Sequence, residues 1–327
     1  MVDNGFFPYL CIPIVSRHCI MSNNVIFPEP LKKGDLIAIL SPAGPIDESK
    51  VLAAKEVLEK EGFRVKIMPH TFDRWGNYAG TDENRLADLE AALTDPEVKA
   101  ILCSRGGYGV VHIMEHLDNI DLRNNAKWVI GFSDISALHA AMARQGVASI
   151  HASMAAHLQK YGGKDEDSQA LFAILRGGRP AFTLPASPLD RPGIAEGTLL
   201  GGNVAVLADL INTRYDMMRP DTILFVEDVS EPIYKTERIF YQLRISGVLP
   251  KLRGLIVGQF TDSEPDKSYE STEKMIADMV STYSYPVAFN APIGHVDHNI
   301  PLIENAHVTL KVTPEGDNHL IYWPDKA

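Results

Sequence analysis

Cysteine is scarce in this sequence, with three residues among 327. Cys11, Cys19 and Cys103 are too few for a disulfide framework, which favours a reducing compartment. Long apolar runs without charge are missing as well. The longest run, Phe6–Ser16, falls short of the roughly 20 residues that a membrane-spanning helix needs. We therefore expect neither a disulfide-stabilised protein nor a membrane protein.

Positive charge is also in short supply. The chain carries 31 Lys and Arg against 42 Asp and Glu, which gives a formal net charge of −11. Nucleic-acid phosphates are bound by clustered Lys and Arg, so this balance argues against nucleic acid as the main partner. A content of 45% hydrophobic residues excludes a chain that is disordered throughout. The length of the chain favours two domains.

The first 21 residues contain an apolar stretch that lacks the features of a secretory signal. Asp3 precedes the stretch and Arg17 follows it. A signal peptide instead begins with positive charge and ends in small residues at a cleavage site. We interpret residues 1–21 as an extension outside the fold and expect a cytoplasmic protein.

Residues 22–176 alternate between short apolar runs and helical patterns. Leu36–Leu40 is typical of a buried strand, and Asp47 can cap the helix that follows it. Ala100–Cys103 and Trp128–Ile130 predict further strands, with helical segments between them. Strands separated by helices form parallel sheets that are covered on both faces. This segment is therefore predicted to be a doubly wound, mostly parallel α/β domain.

A second, smaller domain is predicted beyond a linker. Residues 177–193 are rich in Gly, Pro and Ser, as linkers are. Residues 194–327 contain strand patterns such as Ile223–Val226 and Val308–Val312, and a helical pattern over Tyr234–Ser246. The mixture is less regular than in the first segment, and it predicts a β-rich α+β domain.

The first candidate site follows the predicted strand Trp128–Ile130. Gly131 and Ser133 form a tight turn ahead of a helical pattern, which is the arrangement of a nucleophile elbow. The backbone amide of Asp134 would then point at developing negative charge. Ile135 stands where the second glycine of G-x-S-x-G belongs. A serine that only caps the helix is the alternative interpretation.

The second candidate is the glycine-rich loop Arg105–Gly109, which follows another predicted strand. In an open α/β sheet this loop would face the same crevice as Ser133, where one of its backbone amides could donate to an oxyanion. An ordinary turn is the alternative. A dinucleotide loop does not fit, because His112 replaces the third glycine. Cys103 lies within the strand, so we expect a buried, inert thiol rather than a nucleophile.

An acid and a histidine complete the candidates. Glu227 lies at the end of a predicted strand and could orient a histidine, although a solvated acid at a strand end is the alternative. His295 follows Gly294 in a predicted loop and could act as a general base. A metal site built from His295 and His298 is the rival interpretation, but H-x-x-H is not a strong ligand pattern. We expect neither a metal nor a cofactor.

Each of these motifs is weak alone, but their order along the chain is specific. The motifs are Ser41-Pro42-Ala43-Gly44, Ala79-Gly80-Thr81-Asp82-Glu83, Arg105-Gly106-Gly107-Tyr108-Gly109, Gly131-Phe132-Ser133-Asp134, Leu200-Gly201-Gly202-Asn203, Phe225-Val226-Glu227-Asp228 and Gly294-His295. In this order they resemble the LD-carboxypeptidase family, the murein tetrapeptide carboxypeptidases of bacteria. The resemblance extends from about Pro30 to the C-terminus.

The resemblance implies a serine peptidase with Ser133 as nucleophile, His295 as general base and Glu227 as the acid that orients the base. It implies an oxyanion hole formed by the backbone amides of Asp134 and Gly107. It also implies release of the terminal D-alanine from the murein tetrapeptide, at an L,D-peptide bond, in peptidoglycan recycling. Members of this family tend to form homodimers.

Recognition of the substrate's terminal carboxylate needs a cationic or amide partner. Arg105, beside the glycine-rich loop, is a candidate through a bidentate contact. Two other functions stay open: a related immunity hydrolase that cleaves a peptide-nucleotide antibiotic, and a non-catalytic module that binds a small peptide or nucleotide. The glycine-rich loop and the lack of an evident aromatic insertion favour the murein peptide. Retention of all three triad residues argues against a non-catalytic module.

Overall fold

The computed structural model describes residues 25–323, so the interpretation of residues 1–21 as an extension lies outside the described residues. None of the helices between residues 25 and 323 combines the length and the apolar character needed to cross a bilayer.

The strands and helices of the described residues alternate through the first half of the chain. The strands are β1 (Leu36–Leu40), β2 (Arg64–Ile67), β3 (Val98–Cys103), β4 (Trp128–Gly131), β5 (Ser149–His151), β6 (Phe182–Leu184), β7 (Gly193–Asn203), β8 (Thr222–Val229), β9 (Gly254–Thr261), β10 (Val287–Ala288), β11 (Leu302–Glu304), β12 (His307–Val312) and β13 (Asn318–Tyr322). The α-helices are α1 (Glu48–Lys60), α2 (Asp82–Thr94), α3 (Val110–Ile113), α4 (Ser136–Arg144), α5 (Ala155–Tyr161), α6 (Glu166–Leu175), α7 (Val204–Leu210), α8 (Ile233–Ile245) and α9 (Thr272–Met279).

The first sheet has six strands in the order β11-β5-β4-β3-β1-β2. Strands β1 to β5 run parallel, and β11 joins the edge antiparallel to β5. Every residue of β1 is buried, and its side chains alternate between two cores. Ile37 and Ile39 belong to the core that includes α1, α5 and α6, whereas Ala38 and Leu40 belong to the core that includes α2 and α4. The predicted doubly wound, mostly parallel domain is confirmed.

Helix α2 shows how the sequence starts a helix at this sheet. Thr81 precedes it in extended conformation, and its hydroxyl accepts a hydrogen bond from the amide of Asn84. This is an N-cap, which satisfies one of the amides that the first turn leaves unpaired. Leu89 and Leu93, one turn apart, are buried on the face toward the sheet.

The second sheet has seven strands in the order β10-β9-β8-β7-β12-β13-β6. Strands β7 to β10 run parallel, and β12, β13 and β6 are antiparallel to their neighbours. Helices α8 and α9 contribute Phe240 and Met275 to the core that covers β8 and β9. This mixed sheet confirms the predicted β-rich second domain.

Two short strands join sheets from outside the segments that were predicted to form them. β6 lies inside the Gly- and Pro-rich stretch 177–193 and pairs with β13. β11 belongs to the last third of the chain, yet it completes the first sheet by pairing Leu302 with His151. The boundaries proposed for the domains remain a prediction. Strand β5 therefore pairs with β4 from the first half of the chain and with β11 from the second.

Candidate active site

Ser133 follows β4 in a strained backbone conformation. Its φ of +67° lies in the left-handed region, which costs a residue with a Cβ about 1 kcal/mol. A Cβ added to Gly131 would lie 2.9 Å from Cγ1 of Ile135, so Ile135 fills the space that the glycine leaves. This contact explains how the elbow forms without the second glycine of the motif. The residue before α4 is Ile135, and no side chain caps that helix.

Ser133 and two distant residues form a hydrogen-bonded chain. Nε2 of His295 lies 3.1 Å from Oγ of Ser133, and Nδ1 of His295 lies 2.8 Å from Oε2 of Glu227. Glu227 is fully buried in β8, so the alternative of a solvated acid at a strand end is wrong. The fold thus brings together Ser133, Glu227 and His295, the three residues predicted from the sequence.

Gly294 allows the histidine loop to approach β8. Its φ is +120°, and a Cβ added there would lie 2.8 Å from Cβ and from Oε2 of Glu227. The amide of Gly294 donates to Oδ1 of Asn299, which fixes the loop, and the ring of Phe132 packs 4.8 Å from the ring of His295. A glycine is therefore required at this position, because any side chain would strike the buried acid.

The hydrogen bonds define what this chain can do chemically. The buried carboxylate of Glu227 accepts a hydrogen bond, so the facing Nδ1 of His295 carries the hydrogen. Nε2 then presents its lone pair toward Ser133. This tautomer can take a proton from the serine hydroxyl. The arrangement is competent for nucleophilic catalysis with a general base.

The glycine-rich loop lies directly against the serine. A Cβ added to Gly106 would lie 3.0 Å from Oγ of Ser133, so the backbone approaches as closely as glycine permits. The carbonyl of Gly106 accepts a hydrogen bond from the amide of Gly44 at 2.9 Å. Since the C=O and N–H of a trans peptide point in opposite directions, the amide of Gly107 points away from Gly44. Gly107 and Ser133 line the same cavity.

Two buried side chains hold this loop, and the sequence analysis did not foresee this role for either of them. Oδ2 of Asp134 accepts from the amide of Val110 at 2.9 Å. Nη1 of Arg85 donates to the carbonyls of Pro42 and Gly109, at 2.6 and 2.8 Å. Burial raises the pKa of Asp134, and the hydrogen bond from Val110 opposes that shift. The Ser-Asp pair was a usable signal for Asp134, whereas nothing local to α2 marks Arg85.

The cavity that contains Ser133 and His295 has a volume of about 990 Å³. Arg105 lies on its wall, is exposed, and donates from Nη1 to the carbonyl of Pro45 at 2.8 Å. The sequence analysis missed further charged or titratable residues that line the same cavity, namely Asp47, Lys50, Arg74, His157, Lys160 and Asp297. No local pattern marks them, because they come from four separate segments of the chain.

The structure also shows the surroundings of Cys103, the alternative nucleophile, and of His295 and His298, the alternative metal ligands. Cys103 is fully buried, and burial raises the pKa of its thiol far above the ordinary value. Nδ1 of His298 lies 2.8 Å from Oδ1 of Asp167, while Nδ1 of His295 contacts Glu227, so the two histidines bind different carboxylates. Potential metal-binding atoms of the described residues converge in a different group, His157, Asp165 and Asp167, of which His157 also lines the cavity.

Comparison with known proteins identifies the family. The model of the LD-carboxypeptidase N-terminal domain matches residues 37–152, and that of the C-terminal domain matches residues 196–310. The chain belongs to the LD-carboxypeptidase family. A murein tetrapeptide carboxypeptidase of Pseudomonas aeruginosa is 32% identical over 272 residues, which cover 80% of this chain and 89% of that protein. A probable murein peptide carboxypeptidase of Bacillus subtilis is 33% identical over 282 residues, which cover 84% and 88%.

Solved structures share the fold of this chain. A crystal structure of muramoyltetrapeptide carboxypeptidase from Oxalobacter formigenes matches with a TM-score of 0.81 and 27% identity, over 89% of this chain and all of that one. A structure of MccF in complex with glutamyl sulfamoyl guanosine matches with a TM-score of 0.78 and 19% identity, over 92% and 99%. At that identity the second likeness concerns the fold alone.

Proposed function

We propose that this LD-carboxypeptidase family member is a serine carboxypeptidase that releases the terminal D-alanine of the murein tetrapeptide. The observation that carries the proposal is the hydrogen-bonded chain from Ser133 through His295 to the buried Glu227. The glycine-rich loop beside Ser133 adds support, as does the relationship to murein tetrapeptide carboxypeptidases.

In the proposed reaction, Oγ of Ser133 attacks the carbonyl carbon of the L,D-peptide bond while Nε2 of His295 takes the hydroxyl proton. The tetrahedral intermediate collapses when the carbon–nitrogen bond breaks. His295 gives the proton to the departing amine, so D-alanine leaves as a neutral amine and an acyl-enzyme remains. Water, deprotonated by the same nitrogen, then hydrolyses the ester and regenerates the serine.

Glu227 and the backbone amides stabilise the charges that this reaction creates. The carboxylate of Glu227 holds the imidazole tautomer and stabilises the imidazolium that forms. The amides of Asp134 and Gly107 are proposed to donate to the oxyanion, and removing one such donor typically costs about 3 kcal/mol of transition-state stabilisation. Arg105 is proposed to bind the carboxylate of the departing D-alanine through the donors that its contact with Pro45 leaves unused.

The deciding experiment measures kcat/KM for three peptides by chromatography of the released amino acid. They are the tetrapeptide ending in D-alanine, its C-terminal amide, and the diastereomer ending in L-alanine. Only the first should be cleaved efficiently, because the amide lacks the charge and the diastereomer exchanges a methyl group and a hydrogen against a fixed wall. Comparable rates on all three would contradict an LD-carboxypeptidase, and no release from any of them would contradict a murein carboxypeptidase.

A peptide-nucleotide conjugate serves as a further substrate in the same assay. The related immunity hydrolase would use the same three residues, so only the substrate separates the two functions. Release of the nucleotide part, with no release of D-alanine from the tetrapeptide, would favour the immunity hydrolase. A Ser133→Ala protein is the control for catalysis by contaminants in every arm.

A further inference from the structure

One wall of the active-site cavity carries an excess of positive charge. Lys50, Arg74 and Arg105 line it together with a single carboxylate, that of Asp47. Asp47 is shared, since its oxygens lie 3.1 Å from Nη2 of Arg74 and 3.8 Å from Nζ of Lys50. Three cations against one carboxylate leave two positive charges in excess, on a chain whose formal net charge is −11.

The other charged pair that lines the cavity is balanced. Nζ of Lys160 lies 2.6 Å from Oδ1 of Asp297, two residues beyond His295. One cation meets one anion there, so this pair adds no net charge to the cavity. The positive field therefore comes from the wall that contains Lys50, Arg74 and Arg105. A cleft lined by one sign of charge concentrates ligands of the opposite sign.

The two guanidinium groups are held in place by the same stretch of backbone. Arg74 donates from Nη2 to the carbonyl of Ile46 at 3.1 Å, and Arg105 donates from Nη1 to the carbonyl of Pro45 at 2.8 Å. A guanidinium carries five N–H donors, so these contacts fix each group and leave donors for a ligand. Fixed donors lose less conformational entropy when a ligand binds than mobile ones do.

The carboxylate of Asp47 is easily replaced as the partner of these cations. The side chains of Asp47, Lys50 and Arg74 are 67%, 40% and 58% exposed, respectively. Ion pairs at such exposure contribute little to stability, so exchange for a ligand carboxylate costs little. A ligand that brings its own carboxylate gains charge-assisted hydrogen bonds from donors already in position.

We infer that Arg74 and Lys50 bind a second substrate carboxylate, on the acyl part of the peptide, and that they make the enzyme selective for acidic peptides. The inference rests on the proposed function, in which Arg105 takes the terminal carboxylate and the acyl part carries the scissile carbonyl. Two residues of a murein tetrapeptide can supply the second carboxylate. One is a third-position diamino acid with a carboxylate on its side chain, and the other is the acidic residue before it.

The experiment compares kcat/KM for four tetrapeptides that all end in D-alanine. The third residue is diaminopimelate, diaminopimelate with its side-chain carboxylate amidated, or lysine, and the fourth peptide has the second residue amidated instead. We expect kcat/KM to fall roughly 10- to 100-fold for the peptides that lack the recognised carboxylate. The preference should shrink as salt is added, because the cations are exposed. Which amidation lowers the rate identifies the residue that supplies the carboxylate.

Arg74→Gln and Lys50→Gln test the assignment, with Arg64→Gln as the matched control. Arg64 is also exposed, pairs with a carboxylate and donates to a backbone carbonyl, but it lies outside the cavity. The ratio of kcat/KM between the carboxylate-bearing and the amidated peptide should fall toward one in the two cavity variants and stay unchanged in Arg64→Gln.

Three outcomes would overturn the inference, and they separate it from the proposed function. Equal kcat/KM for all four peptides, with D-alanine released from each, would overturn the second carboxylate site while the carboxypeptidase activity stands. A preference that survives in both Arg74→Gln and Lys50→Gln would overturn the residue assignment. No release of D-alanine from any peptide by the unmodified protein would overturn the proposed function, and with it this inference.

Discussion

The carboxylate of Asp134 accepts a hydrogen bond from the backbone amide of Val110 at 2.9 Å, across 24 residues of chain. Asp134 follows Ser133, and Val110 begins the helix behind the glycine-rich loop. The bond therefore ties the nucleophile turn to the loop that lies against it. The two backbone amides proposed to bind the oxyanion, those of Asp134 and Gly107, belong to the two segments that this hydrogen bond joins.

Replacing Asp134 should separate a positioning role from a purely structural one. In Asp134→Ala the amide of Val110 loses its partner in a buried place, at a cost of about 1–3 kcal/mol, and the loop shifts. We expect kcat to fall at least 10-fold with little change in KM, because donors to the oxyanion act in the transition state. Asp134→Asn keeps an acceptor oxygen and should retain more activity.

The control for Asp134 is Asp216→Ala. Asp216 also accepts backbone hydrogen bonds, from Asn212 and Met218, but it lies away from the site. Its loss should lower the free energy of unfolding, measured in urea, and leave kcat unchanged. A folded Asp134→Ala protein with unaltered kcat would contradict the positioning role.

The positive φ of Ser133 predicts that a glycine variant at this position is at least as stable as an alanine variant, which is the reverse of the usual order. Ser133→Ala and Ser133→Gly both remove the proposed nucleophile, so both should lose several orders of magnitude in kcat. Alanine keeps the Cβ and its strain at φ +67°, whereas glycine relieves the strain. In most positions glycine is the less stable of the two. Here we expect Ser133→Gly to match or exceed Ser133→Ala by up to about 1 kcal/mol.

Urea unfolding of the two purified Ser133 variants measures this difference, with the unmodified protein beside them. A Ser133→Gly protein that is less stable than Ser133→Ala by 1 kcal/mol or more would show that the elbow stores no strain.

The sequence was most informative where local pattern determines structure. Leu36–Leu40 was predicted as a strand and is one, because a continuous apolar run bounded by a turn fits a strand buried on both faces. A helical pattern was predicted directly after the turn at Ser133, but α4 begins at Ser136 after a 3₁₀ turn. The left-handed serine delays the helix, and hydrophobic periodicity does not report φ.

Interactions between distant segments were less accessible. Ser133 and His295 are 162 residues apart, and only the order of the motifs suggested that they meet. Lys50, Arg74 and Arg85 were not singled out, because each lies in a segment that looks like ordinary surface or ordinary helix. Their significance depends on which loops the two sheets bring together, and no local spacing encodes that.

Glu227 and Glu304 offer a matched pair of buried glutamates. Both are fully buried, but Glu227 faces the imidazole of His295, whereas burial raises the pKa of Glu304 well above its ordinary value. Glutamine mimics a protonated carboxyl group. Glu304→Gln should therefore leave kcat close to that of the unmodified protein. Glu227→Gln removes the charge that is proposed to stabilise the imidazolium, and kcat should fall by roughly 10⁴, as for the corresponding change in serine proteases.

Steady-state kinetics with the tetrapeptide measures both glutamate variants, and circular dichroism confirms that each is folded. If Glu227→Gln were to retain more than a tenth of the activity, the acid would have no role in orienting the base.

Metal chelation is expected to leave the rate unchanged. The reaction proposed for Ser133, His295 and Glu227 generates its nucleophile by proton transfer and requires no Lewis acid. Dialysis against a chelator, followed by the D-alanine assay, measures this. Loss of activity that zinc restores would contradict this expectation. The candidate ligands would then be His157, Asp165 and Asp167, whose ligand atoms lie within 4.8 Å of one another.

Buried histidines behind the site predict how stability depends on pH. Burial lowers the pKa of His151 to about 3 and that of His139 to about 4. Below about pH 6.5 the unfolded chain binds protons at these residues and the folded protein does not, so stability is lost as the pH falls from 6.5 toward 3. Burial raises the pKa of Asp228 to about 6, which acts in the opposite direction, since the folded protein then holds the extra proton.

Two variants isolate these opposing contributions in urea unfolding at pH 7.5 and pH 5.0. His151→Leu removes a titrating group that packs against Phe132 and Phe225, and it should reduce the acid-induced loss of stability by about 2 kcal/mol. Asp228→Asn removes the proton uptake that favours the folded state at pH 5.0, so it should increase the loss by about 1 kcal/mol. The two variants should therefore change the acid-induced loss of stability in opposite directions. An acid-induced loss in His151→Leu equal to that of the unmodified protein would mean that His151 is charged in the folded state.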